Sequence, residues 1–282
     1  MGRIQSSVEL FKASWAMIRQ DKELLALPVI SGFASLVTVA LFAVPLMASA
    51  GLSVASLGDG PTAEVGPVTY VLGFVMYVVL AFITVFFNSA LIHGANVRMS
   101  GGDPTLGSAL AGATSRIGRI LPWAIVSATV SMIIRQVQER AGILGSILGF
   151  LGGLAWAAVT FLVLPILVIE DIGVTQAVKR SAGLLRSAWG ESLAGHIGMG
   201  FIGLIASLPF VAVAGVGVLS GSAVIAVPAL AVAVLGLLSV AVVMSALSVV
   251  YQTALYRYAV GQPVVAYRPE LMANAFHRRN RR

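Results

Sequence analysis

The sequence predicts an all-α fold: a polytopic transmembrane helical bundle with six spans and cytoplasmic amphipathic interfacial helices. Three observations lead there. Hydrophobic residues make up 58% of the 282 positions and charged residues only 10%, with a mean hydropathy of +0.96, far outside the range of soluble domains. Four long runs contain no Asp, Glu, Lys or Arg: Leu24–Gly58, Val65–Val97, Ala141–Ile169 and Ser192–Tyr256. One crossing takes about 20 apolar residues, so every run is long enough. Basic residues, finally, gather on alternate connections between the runs.

The chain starts with a predicted interfacial helix, residues 1–22. Ile4, Val8, Phe11, Trp15 and Ile18 share one face, and Gln5, Glu9, Lys12, Ala16 and Arg19 the other, the pattern of a helix lying among headgroups. Trp15, Arg19 and Lys22 mark the inner boundary before span one, near 24–50. Ala48-Ser49-Ala50 resembles a signal-cleavage site, but the polar lead is too long and the apolar run exceeds an h-region. The segment is therefore expected to stay as the first span. Span two is placed near 68–93.

Asp103-Pro104 reads as N-cap and first helical residue of a second interfacial helix, 103–119, closed by Arg116, Arg119 and Trp123. Span three, near 117–137, has only fifteen uncharged residues between Arg119 and Arg135, and both arginines can extend to the interface. Span four is near 143–169. A third interfacial helix, 173–189, carries Lys179, Arg180, Arg186 and Trp189. The last run is too long for one crossing and divides at Gly215–Gly221, giving span five near 191–213 and span six near 224–251. A basic tail, 261–282, follows.

Six spans put both termini on one side. With that side cytoplasmic, only Arg135 and Arg140 of the 18 basic residues fall outside, in keeping with the positive-inside rule. Omitting span three would expel the Lys179–Arg186 segment and the C-terminal arginines. Each inward entrance is thus preceded by a basic helix ending near a tryptophan. Such a repeat is found in some transporters, and aromatic-belt and charge rules alone also generate it.

Chemistry is sparse. Without cysteine there are no disulfides, thiolate nucleophiles or iron–sulfur ligands. The three histidines and scattered carboxylates form neither a hydrolase constellation nor a metal-ligand spacing, so no catalytic residue, metal or cofactor is expected. Gly198-x-Gly200-x-x-Gly203 lies within an apolar span, where the dinucleotide reading lacks its strand. Gly145, Gly149, Gly153 and Ala157 form a small-residue stripe suited to close helix packing within the chain or between copies. Most prolines lie near span ends, whereas Pro209 is deep enough to kink or break span five.

Polar groups collect at the inner third: Asn88, His93 and Asn96 in span two, Glu170 and Asp171 after span four, His196 in span five, and Tyr251, Gln252 and Arg257 in span six. Polar groups in lipid usually face the bundle interior. Two readings stay open, a small vestibule for a solute or headgroup and ordinary interhelical hydrogen bonding. The basic tail suits acidic lipid, and nucleic-acid binding does not fit its position.

"KASWAMIRQDKELLALPVISG" (Lys12–Gly32), "FFNSALIHGANVRMSGGDPTL" (Phe86–Leu106) and "VIEDIGVTQAVKRSAGLLRSAWGE" (Val168–Glu191) resemble a widespread family of bacterial and archaeal integral membrane proteins grouped only as a domain of unknown function. The likeness runs down to "YQTALYRYAVG" (Tyr251–Gly261). A fainter similarity links the chain to the membrane domain of some glycerophosphodiester phosphodiesterases, whose soluble catalytic domain this sequence lacks. The resemblance implies six spans and inner-face helices, and it brings no activity or catalytic residues. The expectation is a non-enzymatic protein of a prokaryotic cytoplasmic membrane. It would engage lipid, a complex partner or its own copies at the inner leaflet. The alternative is a small-solute or lipid transporter.

Overall fold

The computed structural model describes residues 12, 14–50, 66–140, 142–188 and 192–262, and these are almost wholly helical, with no strand among them. Helix α1 comprises residues 14–20. A 3₁₀ turn, Lys22–Leu25, leads into α2 (Ala26–Ser49). There follow α3 (Pro67–Met99), α4 (Leu106–Ser115), α5 (Ile117–Arg140), α6 (Gly142–Thr160), α7 (Val163–Ile169), α8 (Val174–Ala188), α9 (Ser192–Leu219) and α10 (Ala223–Ala259). Among the described residues, six segments are long and apolar enough to cross a membrane: Lys22–Ser49, Pro67–Met99, Ile117–Glu139, Ile147–Ile169, Ile202–Leu219 and Ala223–Ala259.

The central helix is α3, which packs on α2, α4, α5, α7 and α10. It forms an antiparallel hairpin with α2, and two further hairpins, α5–α6 and α9–α10, stand beside it. Large side chains are buried mainly at one end, and burial elsewhere falls on small residues such as Gly149, Ala233 and Gly236. The core at the packed end combines Met17 and Ile18 of α1, Leu24, Leu91, Ile92 and Met99, Ile166 and Leu167 of α7, and Tyr251 to Tyr256 of α10. The opposite half presents large apolar side chains outward, among them Leu41, Val44, Val68, Leu151 and Leu235. Such a band exposed to water would drive aggregation, and facing lipid it costs nothing.

Two helices that reach the packed end, α3 and α10, stop by the same device. Gly101 (φ +87) and Gly261 (φ +74) follow α3 and α10 in the left-handed region. At α3, Gly102 N–H donates to Val97 C=O and Gly101 N–H to Arg98 C=O. At α10, Gln262 and Gly261 repeat those bonds to Arg257 and Tyr258. This pairing satisfies the last carbonyls and requires a residue that tolerates positive φ. It lets spans two and six run on to Met99 and Ala259, beyond the expected ends at 93 and 251.

Four expectations about the elements change. Thr105, not Asp103, caps α4, in a reciprocal capping box with Ser108; Asp103 is drawn instead to Arg98, at 2.5 Å. Span four is broken, with α6 ending at Thr160 and α7 starting at Val163. Span five is unbroken through Pro209. Its turn into α10 lies at Ser220–Gly221 (φ +64), so Gly215 and Gly217 are helical and Gly217 brings α9 close to Ala226 and Ala229. In lipid a glycine inside a helix serves close approach more than it breaks the helix.

Gly236 of α10 has the Phe210 ring packed where a side chain would stand. Gly236→Ala is expected to cost about 1–3 kcal/mol through overpacking. Gly32→Ala, where a Cβ meets open space, should be neutral or stabilising by up to about 1 kcal/mol. Melting temperatures of the two purified variants in one detergent check the contrast.

Candidate functional site

The described ion pairs all join elements of the packed end. Asp21, in the bend between α1 and the 3₁₀ turn, is gripped by Arg98 of α3 through both carboxylate oxygens, with Nε to Oδ2 at 2.5 Å. The Asp21 side chain is 5% exposed, and Arg98 also holds Asp103. Glu23 accepts the Leu106 N–H at 3.2 Å, so the entry to span one is tied to the start of α4. Charge-assisted bidentate pairs of this kind are among the stronger hydrogen bonds a protein makes.

Arg257, buried near the end of α10, donates to the Asn96 carbonyl at 3.3 Å, to Asn96 Oδ1 at 2.7 Å and to Ser100 Oγ at 2.7 Å. Tyr256 Oη donates to Glu170 Oε1 at 2.8 Å, and Arg180 Nε reaches the same oxygen at 3.3 Å. Asp171, at φ +54, meets Arg116 and, at 3.5 Å, Arg119. A non-glycine residue in that region is held there by its surroundings, here two guanidinium groups at the start of α5.

The break in span four has its own partners. Pro165 has no N–H, and in a continuous helix its ring would press on the carbonyl four residues back, that of Phe161. Gln252 Nε2 of α10 donates to that carbonyl. The Leu162 N–H donates to Ser181 Oγ of α8 at 3.2 Å. Two backbone groups released inside a span are thus satisfied by side chains from two other helices, as the membrane interior demands.

Residues 67–264 match the DUF6159 family, described as a family of unknown function. The chain belongs to that family. No curated protein matches it. The matched segment of this DUF6159 protein runs from the first residue of α3 past the end of α10 and contains every group of the network except Asp21 and Glu23. Two of the three stretches that suggested a family, at Phe86–Leu106 and Val168–Glu191, lie within it. The opening stretch Lys12–Gly32 lies outside, and nothing supports the phosphodiesterase membrane-domain likeness.

Most of the inner-third polar residues come together, but as mutual partners: Asn96 with Arg257, Glu170 with Tyr256 and Arg180, Asp171 with Arg116 and Arg119, and Gln252 with the broken backbone. Tyr251 is fully buried in the core. Asn88 and His93 are partly exposed on α3, and Gly112 of α4 leaves room for the His93 ring. His196 lies in α9 with its side chain outside the described residues. Of the interface residues, Lys12, Arg19, Lys22, Arg119, Lys179 and Arg180 are exposed and Trp15 packs against the core. The Arg186 side chain and Trp189 are not described.

Trp123 departs from its expected place at the lipid edge. It is 5% exposed and stacks on Trp156 of α6 with ring centroids 6.0 Å apart. The small-residue stripe also turns inward on the α5–α6 hairpin. Gly145 and Gly149 are buried, Gln138 lies over Gly149, Ile134 sits 3.9 Å from a Cβ built at Gly153, and only Ala157 faces out. Asp21, Ser100 and Ser181 escaped sequence reading, while Arg98 and Asp103 were read as a boundary charge and an N-cap rather than as an ion pair. Asp21 sits among basic residues that look like a boundary marker, and a lone serine on a polar helix carries no signal.

Asp21→Asn is expected to lower stability by about 1 kcal/mol, because Asp21 is buried while Arg98 stays partly exposed and keeps Asp103 as a charged partner. Arg98→Gln should cost a similar amount, and the double variant less than their sum. Thermal unfolding of the three variants in detergent measures the coupling.

Proposed function

We propose that this DUF6159 protein is a non-enzymatic scaffold of a prokaryotic plasma membrane, with both termini cytoplasmic, that holds anionic lipid at its inner-leaflet face. The observation that carries this reading is the fate of the inner-third polar groups. Arg257 bonds to Asn96, Glu170 to Tyr256 and Arg180, Asp171 to Arg116 and Arg119, and Gln252 to the Phe161 carbonyl, which braces helices and leaves them little capacity to coordinate a passing solute. The cations that remain outward, Lys12, Arg19, Lys22 and Lys179, are exposed just before α1, on α1, on the turn after it and on α8, where each would add roughly 1 kcal/mol of attraction to an acidic leaflet. The orientation rests on the distribution of basic residues. One observation favours the second reading, a small-solute or lipid transporter: span four is discontinuous, and discontinuous spans build substrate sites in transporters.

Purification from membranes containing phosphatidylglycerol should retain that lipid, and replacing Lys12, Arg19, Lys22 and Lys179 with Gln should lower the retained amount several-fold. Undiminished retention would overturn the scaffold reading, as would solute flux in proteoliposomes that His93→Ala abolishes. A phosphatase fused after Arg282, active only outside the membrane, should be silent.

A further inference from the structure

We infer that the break in span four is a joint, closed by Gln252 from α10 and Ser181 from α8, through which α8 sets the position of the outer part of span four. The two pieces have different surroundings. α7 is embedded, with Val163, Ile166 and Leu167 wholly buried and Pro165 buried beside them. α6 beyond the break shows Ile147, Leu148, Phe150, Leu151 and Leu154 to the exterior, each about half exposed or more. It rides on α5 through Gly149 and Gly153. A fixed inner piece and a loosely surrounded outer piece, linked by two residues outside any helix, are the parts of a hinge.

What holds the hinge is side chain, not helix. A continuous helix would bond the Phe161 carbonyl to the N–H of residue 165, and Pro165 has none. The replacement donor, Gln252, belongs to α10, and the Leu162 N–H is taken by Ser181 on a helix that packs against both α6 and α7. Ser181 is wholly buried, while Lys179 and Arg180 on the other side of α8 are exposed. A displacement of α8 therefore withdraws the partner of a backbone group inside the membrane. Leaving that group unsatisfied is costly, so α8 and the outer half of span four move together. The coupling holds whether α8 meets lipid, a protein or water.

The absence of native cysteine makes paired labelling direct. Spin labels at Leu151→Cys and Leu235→Cys report the outer gap between α6 and α10, and labels at Leu41→Cys and Leu235→Cys serve as reference, all in lipid nanodiscs. Gln252→Met, which keeps volume and removes the donor, and Ser181→Ala should each raise the displaced population at the first pair roughly fivefold, the loss of one hydrogen bond, with the reference pair unchanged. Ser181→Ala should also speed exchange of the Leu162 amide by a similar factor. Pro165→Ala restores the missing N–H, so it should narrow the first distribution and render both other substitutions silent when combined with them. The inference is overturned if folded Gln252→Met and Ser181→Ala leave the first distance unchanged. It is equally overturned if their effects persist undiminished with Ala at 165, or if Pro165→Ala leaves the wild-type distribution as it was. Lipid retention does not enter these readouts, so this result stands or falls separately from the scaffold reading.

Discussion

In hydrocarbon every peptide N–H and C=O must find a partner within the protein, since no water is present to take its place. That requirement governs how this chain is built. It makes the spans helical, and it means that a helix can end or break only where other groups collect the released bonds. At α3 and α10 the collectors are the glycine turns after Met99 and Ala259. At span four they are Gln252 and Ser181. All of these lie at the packed end, and so do the core and the ion pairs. The open half is mostly unbroken apolar helix, and its turn from α9 to α10 uses the same provision at Ser220 and Gly221.

The glycine turns also place the charges. Arg98 stands one residue, and Arg257 two residues, before the last residue of its helix, where the final turn is already fixed by the bonds to Gly101, Gly102, Gly261 and Gln262. From α10, Arg257 reaches back to Asn96 and Ser100 on α3, so each helix end helps secure the other. Arg98 then ties that pair to Asp21 and the entry of span one. Arg116 and Arg119 bind the loop after α7 to α5 through Asp171. A cation near a helix C-terminus is favoured by the helix dipole, which suits both Arg98 and Arg257. The same side chains that read as positive-inside signals are therefore structural ties as well.

Composition and uncharged runs sufficed for the helical class and the six apolar segments, because burying a charge in lipid is costly enough to be visible one residue at a time. What the runs could not convey was pairing. Pro165 and Pro209 both lie inside charge-free stretches, and the sequence pointed to the deeper one, Pro209, as the place for a break. They differ in what lies beside them. α10 follows α9 closely on either side of Pro209, with Gly203 against Met244 and Gly236 against Phe210, and the helix holds. At Pro165 the neighbours offer an amide and a hydroxyl at the height of the break. The fate of each proline was decided by residues scores of positions away. Trp123 shows the same limit, since an aromatic near a span end reads as an interface anchor until a second tryptophan, Trp156, is found stacked on it.

The division between the two halves bears on where such a protein can change shape. Local opening is easiest where buried contacts are few, and here those lie in the open half, above all along the exposed face of α6. The packed end, by contrast, is cross-linked through Asp21–Arg98, Asn96–Arg257 and Glu170–Tyr256, and it resists relative movement of the helices it joins. A stimulus arriving at the packed end would be absorbed there unless some element both touched that end and ended within the span. α8 meets this condition: Arg180 pairs with Glu170 in the network, and the next residue, Ser181, holds the backbone of span four. Of the described short helices, α1 and α4 are tied to the ends of spans, by Asp21 and Glu23, while α8 is tied to the interior of one.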